Sequence, residues 1–428
     1  MEADIISKMK NNDGKNIWII CKYAMPEKYF FGTRHFNFSY EWIKKGHQVT
    51  VFTSNWNHLT NKLPKFEGKS MTEVLRGVRT VWLQGYRNKT SNSFARIIGW
   101  FHFEMSVLRE YRKHIHIDGL KADGVKTDNR PDVVIASSLS LFSIISGYLI
   151  SRKYGARFIV EIRDIWPLTV TEIGGFSGVN PMVLFMSWLE KFGYRKADAV
   201  VGTMPNLIEH VQQVEPRFKK VVCIPQGMRD EMLNEHEKLT DSKLKELLQR
   251  PGFKIGYAGT INAANPIHTL FQAAEMLGPD AGIEYYILGQ GNERESYIRK
   301  YGHLKQIHFI DPVEKKYVRD FLSHMDVCFD SFTGGTGQFG LSRNKWVDYM
   351  AASKPIICSF SGYPTILDEA GCGTFVPYDD TQALADELVR YRDMSADEIA
   401  QRGKNARQYV ENELTFSILA TRFEELFN

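Results

Sequence analysis

The chain has 428 residues, of which 43% are hydrophobic and 24% charged. This balance excludes a disordered, collagen-like or disulfide-stapled chain, and the length predicts two or three domains, each with its own core. The five cysteines lie at least fourteen residues apart, so no CxxC metal or redox pair occurs and we expect buried thiols in a reducing compartment. No apolar run approaches the ~20 residues of a membrane-spanning helix, so we expect a cytoplasmic protein.

Charge divides unevenly along the chain. Residues 1–229 carry a formal charge of +13, and residues 230–428 carry −9. A basic half can face anionic lipid, nucleic acid or a phosphorylated substrate, and composition alone does not choose among them.

Short apolar segments alternate with helical patterns through the first half. The predicted strands are 16–21, 48–53, 80–83, 132–136, 157–162, 199–202 and 220–224, and the predicted helices include 34–45 and 182–194. This alternation is typical of a parallel sheet with crossover helices, so it predicts a doubly wound α/β domain.

The same pattern restarts after Pro225-Gln226-Gly227 and a polar stretch at 230–250. The predicted strands are 253–258, 282–288, 306–310, 326–329, 355–359 and 374–376. We therefore predict an α/β protein of two Rossmann-like domains, 1–229 and 230–428, facing across a cleft that holds any ligand. Residues 395–428 are predicted to be helical with a junction near 414–415, and the last helix is a candidate to cross back to the first domain.

A glycine-rich loop followed by a helix is the most informative segment. Four glycines fall within 334–340, and a backbone without Cβ atoms can come close to a ligand. Ser342 is predicted to cap the following helix, whose free N–H groups, with Arg343 and Lys345 beside them, predict an anion site. Asp348, three residues after Lys345, is placed to accept hydrogen bonds from ribose hydroxyls.

The segment also has a plainer interpretation, which is a glycine turn before a surface helix with a weak Lys345–Asp348 ion pair. Three further loops favour a nucleotide site jointly, although each alone is common in α/β proteins. The candidates are Gly259 and Thr260 under the phosphates, Gly289 and Gly291 after a buried strand, and Val313 as part of a backbone clamp for the base.

Several stretches together resemble the retaining glycosyltransferases of family 4, which have the GT-B fold. They are GLSRNKWVDYMAASKPIICS, EAGCGTFVPYDD and ALADELV in the second half, and KKGHQVTVFTS, RDIWP and VVCIPQGM in the first. The resemblance extends over about 16–427. RDIWP and SRNK…DYMA are most similar to the branch that builds bacterial O-antigen and capsule, which includes N-acetylfucosamine transferases.

The resemblance implies that Asp348 is the second acidic residue of the family's glutamate, seven residues, glutamate motif, the one that holds the donor ribose. Gly340 stands at the place of the first glutamate. We therefore expect backbone N–H groups of Phe339, Gly340 and Leu341, beside Ser342, to contact the donor instead.

The family's arginine and lysine after the first strand of the second domain are also missing, since 260–262 is Thr-Ile-Asn and Pro266 stands at the lysine position. We expect Arg343 and Lys345 to neutralise the diphosphate in their place, as catalytic cations that stabilise the departing nucleotide. No Asp-x-Asp pair occurs, so neither a metal nor another cofactor is expected. The sequence also has no GxSxG elbow, so a hydrolase that uses a catalytic triad is not expected.

In the first domain, Gly32 and His35 open the first crossover helix, as family glycine loops do near the acceptor and donor phosphate, although a helical histidine is more often structural. Ser138 stands where many relatives have a histidine that bonds the donor sugar. It can donate a hydrogen bond but cannot act as a base. Asp164 ends a strand, so it is a candidate to bind or activate the acceptor unless it pairs only with Arg163. Glu172, in the following loop, is a further acceptor candidate.

Residues 91–116 combine aromatic and basic side chains, such as Trp100, Phe101 and Phe103 beside Arg109 and Arg112. An aromatic, basic amphipathic segment predicts contact with an anionic membrane surface, where a lipid-linked acceptor would be met. The alternative is a crossover helix packed within the first domain.

The resemblance and these features together predict a peripheral protein on the inner face of the cytoplasmic membrane. The resemblance implies that it would move a sugar with retention from a nucleotide donor, preferentially a UDP-sugar, to a polyprenyl-diphosphate-linked glycan for bacterial surface polysaccharide. The alternatives are a nucleotide-sugar epimerase, an inverting GT-B transferase, or a transferase-like subunit that binds nucleotide without turnover. No nucleic-acid partner is expected, because the basic half has neither stacking platforms nor a groove-reading motif.

Overall fold

The computed structural model describes residues 14–29, 33–57, 60, 62–86, 93–117, 127–172, 175–263, 265–332 and 335–428. The chain divides into two units. The amino-terminal unit comprises Met1–Thr203, Leu207–Ile224 and Leu419–Asn428, and the carboxy-terminal unit comprises Met204–Asn206 and Pro225–Ile418.

The amino-terminal unit is built on a mainly parallel sheet in the order β10-β9-β8-β7-β1-β2-β4-β3. Its strands are β1 (Asn16–Ile20), β2 (Gln48–Ser54), β3 (Ser70–Leu75), β4 (Val78–Leu83), β7 (Val133–Ser137), β8 (Arg157–Ile162), β9 (Ala199–Gly202) and β10 (Val221–Cys223), and a separate pair is formed by β5 (His116–Ile117) and β6 (Thr127–Asp128). Strands β7 and β9 are buried along their whole length, and all their residues except Ser137 are apolar, because helices cover both faces of a parallel sheet.

An edge hairpin extends this sheet beyond the predicted strands. β3 pairs antiparallel with β4, and the two turn residues, Arg76 and Gly77, have φ angles of 49° and 84°. Positive φ at both central residues matches the twist of a two-residue hairpin. β3 is absent from the predicted strands because arginine is not a usual residue at such a turn.

The helices of the amino-terminal unit lie between these strands in the chain. They are α1 (Arg34–Lys44), α2 (Ser93–Glu110), α3 (Ser143–Tyr154), α4 (Leu168–Glu172), α5 (Pro181–Lys196) and α6 (Leu207–Val214). Helix α5 begins with Pro181 after an Asn180 cap whose side chain accepts from the Met182 N–H, and α3 ends at Gly155 in the left-handed conformation.

The carboxy-terminal unit has an all-parallel sheet in the order β13-β12-β11-β14-β15-β16. Its strands are β11 (Phe253–Ala258), β12 (Ile283–Leu288), β13 (Ile307–Ile310), β14 (Val327–Ser331), β15 (Ile356–Ser359) and β16 (Gly373–Val376). Its helices are α7 (Ser242–Leu248), α8 (His268–Leu277), α9 (Arg294–Tyr301), α10 (Lys315–Ser323), α11 (Asn344–Ala351), α12 (Ile366–Glu369), α13 (Thr381–Arg392) and α14 (Ala396–Glu413), and α15 (Phe416–Glu424) continues into the amino-terminal unit.

Two apolar clusters lie on opposite faces of this second sheet. Tyr285 and Ile287 of β12 join a cluster with Phe271 of α8, whereas the alternate residues Tyr286 and Leu288 join a cluster with Trp346 of α11. Alternation along one strand thus buries both faces under helices. The predicted fold class, two Rossmann-like α/β units with parallel sheets, is confirmed.

The junction predicted near 414–415 is present between α14 and α15. There the Met228 N–H donates to Leu414 O over 2.9 Å, and the Phe416 N–H donates to Met228 O over 2.9 Å. Beyond the junction, Phe423 packs edge-on against Trp42 of α1, with ring centroids 5.3 Å apart. Within the described residues, no helix has both the length and the apolar character needed to cross a bilayer.

Candidate active site

The loops after β11 and β12 touch each other through their backbones. The Gly259 N–H donates to Leu288 O over 3.0 Å, and the Ile261 N–H donates to Gln290 O over 2.9 Å. A Cβ atom on Gly289 would lie 1.9 Å from Gly259 O, and one on Gly291 would lie 1.9 Å from Ile261 O. Glycine is therefore required at both positions, because the backbones of the two loops lie too close together for a Cβ atom.

A fully buried carboxylate lies next to these loops. Asp330 of β14 is 0% exposed, and its Oδ2 lies 2.7 Å from Arg343 Nε and accepts from Trp346 Nε1 over 2.7 Å. Its Oδ1 accepts from Lys345 Nζ over 3.0 Å. The two predicted phosphate-binding cations therefore lie side by side on one carboxylate, which leaves a formal charge of +1. Asp330 has no local signal in the sequence, because its partners lie 13 and 15 residues further along the chain.

Polar groups from other elements complete this cluster. Arg343 Nη2 donates to Asn265 Oδ1, and Lys345 Nζ donates to the Tyr257 hydroxyl over 3.0 Å. A Cβ atom on Gly259 would lie 3.2 Å from Lys345 Nζ, so the ammonium lies against the glycine loop. Burial lowers the pKa of Lys345 to about 8, although Asp330 opposes that shift. Thr260, at the tip of the loop, is exposed, and its carbonyl accepts from Tyr257.

The start of α11 differs from the expectation. Arg343, not Ser342, is the N-cap residue, and it makes no side-chain capping bond. Ser342 Oγ instead accepts from the Gln226 N–H over 2.7 Å. The Gly340 N–H, expected to face the donor, donates to Gly337 O over 2.9 Å, because the preceding chain forms a 3₁₀ turn. Phe339 and Leu341 are buried.

Asp348 lies one turn along α11 from Lys345, but the two do not pair. Its Oδ2 accepts from Lys315 Nζ of α10. The carboxylate lines a shallow groove with Met228, Met232, Glu235, His236, Lys315, Lys316, Val318, Arg319 and Leu322. Val313, just before α10, is half-buried and packs against the apolar cluster that contains Trp346.

His35 and Arg34 belong to a buried ionic network at the start of α1. Arg34 Nε lies 3.0 Å from Glu161 Oε1, and His35 Nε2 lies 3.0 Å from Glu161 Oε2 and 2.8 Å from Ser137 Oγ. Burial would raise the pKa of the Glu161 carboxyl, but the two cations hold it below its usual range. Burial would also lower the pKa of His35, but Cys21 and Glu161 raise it to about 9. This arrangement indicates a structural role for His35.

The other candidates of the amino-terminal unit lie at strand ends. Ser138 is buried, and its Oγ accepts from the Arg163 N–H over 2.9 Å. Asp164, which follows Arg163, is exposed. Glu172 is exposed at the end of α4. Gly32 lies outside the described residues.

The described part of the chain contains no group of three or more His, Cys, Asp or Glu side chains that could hold a metal ion. The expectation that the reaction needs no metal stays a prediction. All five cysteines are free, and four of them are buried.

Two family models match successive regions of the chain. Residues 33–227 match the model described as a glycosyl transferase 4-like domain, and residues 252–393 match the model described as glycosyl transferases group 1. No curated protein sequence matches the chain.

Solved structures with the same fold cover nearly the whole chain. Sucrose-phosphate synthase from Thermosynechococcus elongatus is 16% identical with a TM-score of 0.71, over 96% of this chain and 98% of that one. The Anabaena protein HepE, in complex with UDP and glucose, is 12% identical with a TM-score of 0.65 over the same shares. WaaG, described as a glycosyltransferase involved in lipopolysaccharide biosynthesis, is 14% identical with a TM-score of 0.61, over 96% and 99%.

The His35 network predicts an alkaline loss of stability. Because the pKa of His35 is raised from 6.5 to about 9, its contribution is complete below pH 6.5 and disappears as pH rises through 9. We expect thermal melts followed by circular dichroism to show this fall, worth roughly 3 kcal/mol, and His35→Gln to flatten it. His303→Gln, at an exposed histidine, should keep the wild-type profile. A His35→Gln profile parallel to that of the wild type would contradict the assignment.

The contact between the two glycine loops predicts a steric cost at Gly289. Gly289→Ala should destabilise the carboxy-terminal unit by about 1–3 kcal/mol, because the new methyl group forces two backbones apart. Gly278→Ala is the matched control, since Gly278 has a φ of +69° but no atom within 4 Å of the added Cβ. Equal losses in urea denaturation would mean that backbone strain, and not the contact, decides the effect.

Proposed function

We propose that this protein, a glycosyltransferase of the GT-B fold, transfers a sugar with retention from a UDP-sugar to a lipid-linked glycan in bacterial surface-polysaccharide synthesis. The observation that carries the proposal is the pair of cations, Arg343 and Lys345, held on Asp330 beside the Gly259 loop. Their surplus positive charge at strand ends is suited to a diphosphate. HepE, with the same fold, is described in complex with UDP and glucose.

The donor nucleotide would lie along α11. The cations at its start meet the diphosphate, and Asp348, one turn later, meets the ribose. The ion pair with Lys315 engages Oδ2 of Asp348, so Oδ1 can accept from a ribose hydroxyl. The half-buried Val313 backbone would face the base. Charged hydrogen bonds of this kind contribute about 1.5–3 kcal/mol each.

The transfer step needs little from the protein besides placed charge. The acceptor hydroxyl oxygen attacks the anomeric carbon from the face that the diphosphate leaves, and the bond between that carbon and the β-phosphate oxygen breaks. The hydroxyl proton passes to the departing phosphate oxygen. Arg343 and Lys345 stabilise the negative charge that develops there, and this stabilisation is greater in the transition state than in the bound donor. Asp164, exposed at its strand end, would orient the acceptor.

A lipid-linked acceptor requires contact with a membrane, and an aromatic face of the amino-terminal unit supports this part of the proposal. Phe101 of α2, Phe142 before α3 and Phe185 of α5 follow one another with ring centroids 6.2 and 5.8 Å apart. Trp188 stacks on Phe185 at 5.9 Å. Phe101, Phe185 and Trp188 are 55%, 44% and 54% exposed. We call these four residues the aromatic face.

The aromatic face modifies the expectation for 91–116. Trp100, Phe103 and Val107 of α2 are buried in the unit's core, so only part of that segment can touch a bilayer. Every charged side chain of α2, α3 and α5 that is exposed is basic, as at Arg152 and Lys191. A basic, aromatic surface favours anionic lipid headgroups. WaaG, which has the same fold, is described as acting in lipopolysaccharide biosynthesis, which supports the surface-polysaccharide part.

Asp348→Ala tests the nucleotide site. We expect UDP to bind the variant about 1.5–3 kcal/mol more weakly in isothermal titration calorimetry, because the ribose loses a charged acceptor. Asp393→Ala, which removes a carboxylate paired with Arg392 on the surface, should leave the affinity unchanged. Unchanged affinity in Asp348→Ala would remove the ribose role. Failure of the wild type to bind UDP, GDP or dTDP would contradict the proposed donor class, and binding without donor consumption on bacterial membranes would favour a non-catalytic subunit.

Phe185→Ser combined with Trp188→Ser tests the membrane contact. Each aromatic side chain that enters an interface contributes about 1.5 kcal/mol or more, so the double variant should bind vesicles at least ~100-fold more weakly. Co-sedimentation with phosphatidylcholine vesicles, with and without phosphatidylglycerol, measures this change. Met276→Ser removes an exposed apolar side chain of α8 and should have no effect. Wild-type protein that binds vesicles equally with and without phosphatidylglycerol would contradict the proposed contact with anionic lipid.

A further inference from the structure

Asp330 is a charged residue in the interior of a sheet, where an isolated carboxylate would be very unfavourable. It lies in β14, is 0% exposed, and accepts from three donors. Two of these donors are cations whose side chains are each 13% exposed. The carboxylate thus connects a buried strand with the two cations that reach solvent.

We propose that Asp330 is a positioning residue for the donor diphosphate: it holds Arg343 and Lys345 side by side, with one positive charge in surplus. The inference rests on the proposed nucleotide-sugar site. Asp330 itself touches no substrate, because both of its oxygens face protein donors and no part of it is exposed.

The role of Asp330 can be measured through the protonation of Lys345. The groups that face its ammonium are Asp330 of β14, Arg343 before α11, Tyr257 of β11 and Cys358 of β15. Burial raises the pKa values of the Tyr257 phenol and the Cys358 thiol, so both stay neutral near pH 8. Burial and Arg343 lower the pKa of Lys345, and Asp330 is the one fully charged group that raises it. Without Asp330, Lys345 would lose its proton at a lower pH.

The hydrogen bonds assign different tasks to the two cations. The three N–H groups of Lys345 are directed to Asp330, Tyr257 and, at 3.4 Å, Asn265. Arg343 has five N–H groups, of which contacts between described residues use Nε for Asp330 and one at Nη2 for Asn265. The guanidinium therefore retains N–H groups that can bond phosphate oxygens, and Lys345 contributes mainly charge.

The test is the pH dependence of UDP binding, measured by isothermal titration calorimetry. In the wild type we expect affinity to fall as pH rises through about 8, where Lys345 loses its proton. Asp330→Asn keeps the shape of the side chain but removes its charge. Its midpoint should move down by about one to three pH units, so UDP binds at least ~5-fold more weakly at pH 8 and nearly as well as in the wild type under acidic conditions.

Two controls separate positioning from a general loss of structure. Lys345→Met removes the titrating group, so the fall near pH 8 should be absent, and adding Asp330→Asn should then shift no midpoint. Asp326→Asn neutralises the carboxylate just before the same strand, which accepts from the Lys254 N–H over 2.8 Å, and should keep the wild-type profile.

The possible outcomes separate a failure of the Asp330 role from a failure of the proposed function. An Asp330→Asn profile that is weaker at every pH but keeps the wild-type midpoint would show a purely structural role and overturn the inference, while UDP binding by the wild type would leave the proposed function standing. Failure of the wild type to bind UDP would overturn both. If Asp330→Asn does not fold, competitive acetylation of wild-type Lys345, followed by mass spectrometry, measures its pKa directly. A value below ~7 would mean that Asp330 does not keep Lys345 charged at neutral pH and would overturn the inference, and a value of about 8 or above would support it.

Discussion

One buried carboxylate shared by two cations determines how the carboxy-terminal site is built. Asp330 can be buried only because Arg343 and Lys345 neutralise it, and the cations can lie together only because Asp330 separates their charges. No arginine or lysine follows β11 at 260–262, and Lys345 reaches the same loop from α11, where its Nζ would lie 3.2 Å from a Cβ atom on Gly259.

The amino-terminal unit contains a second cluster of the same composition with a different consequence. Glu161 of β8 lies between Arg34 and His35, again one carboxylate with two basic groups near the end of a parallel strand. The side chains of both basic groups are 2% exposed, whereas those of Arg343 and Lys345 are 13% exposed. A charge cluster that is sealed from solvent is inaccessible to a ligand, whereas surplus charge at a surface can meet an anion. Exposure, and not composition, therefore separates the structural cluster from the candidate ligand site.

Sequence patterns were sufficient for every strand except β3 and the short β5–β6 pair, and for the location of the loops, because strand periodicity and glycine positions are local signals. They failed where the partner lies far along the chain. Spacing on α11 indicated a Lys345–Asp348 pair, but helical spacing identifies a shared face and not the neighbour packed against it, which proved to be Asp330 for one residue and Lys315 for the other. Likewise, Ser342 is a good capping residue by type, yet its hydroxyl accepts from Gln226, 116 residues away.

The same limitation applies to the prediction of membrane contact by residues 91–116. Hydrophobicity along 91–116 does not indicate which residues the sheet will cover, and Trp100 and Phe103 are covered while Phe101 is not. The charged residues of the helices that carry the aromatic face are separated by sign between interior and surface. The three acidic residues of α2, α3 and α5, namely Glu104, Glu110 and Glu190, are all buried. Burial raises the pKa of Glu104 to about 8 despite hydrogen bonds from Ser140 and Ser146. Holding such carboxyl groups inside carries an energetic cost, and its consequence is an exterior whose charges on these helices are uniformly positive.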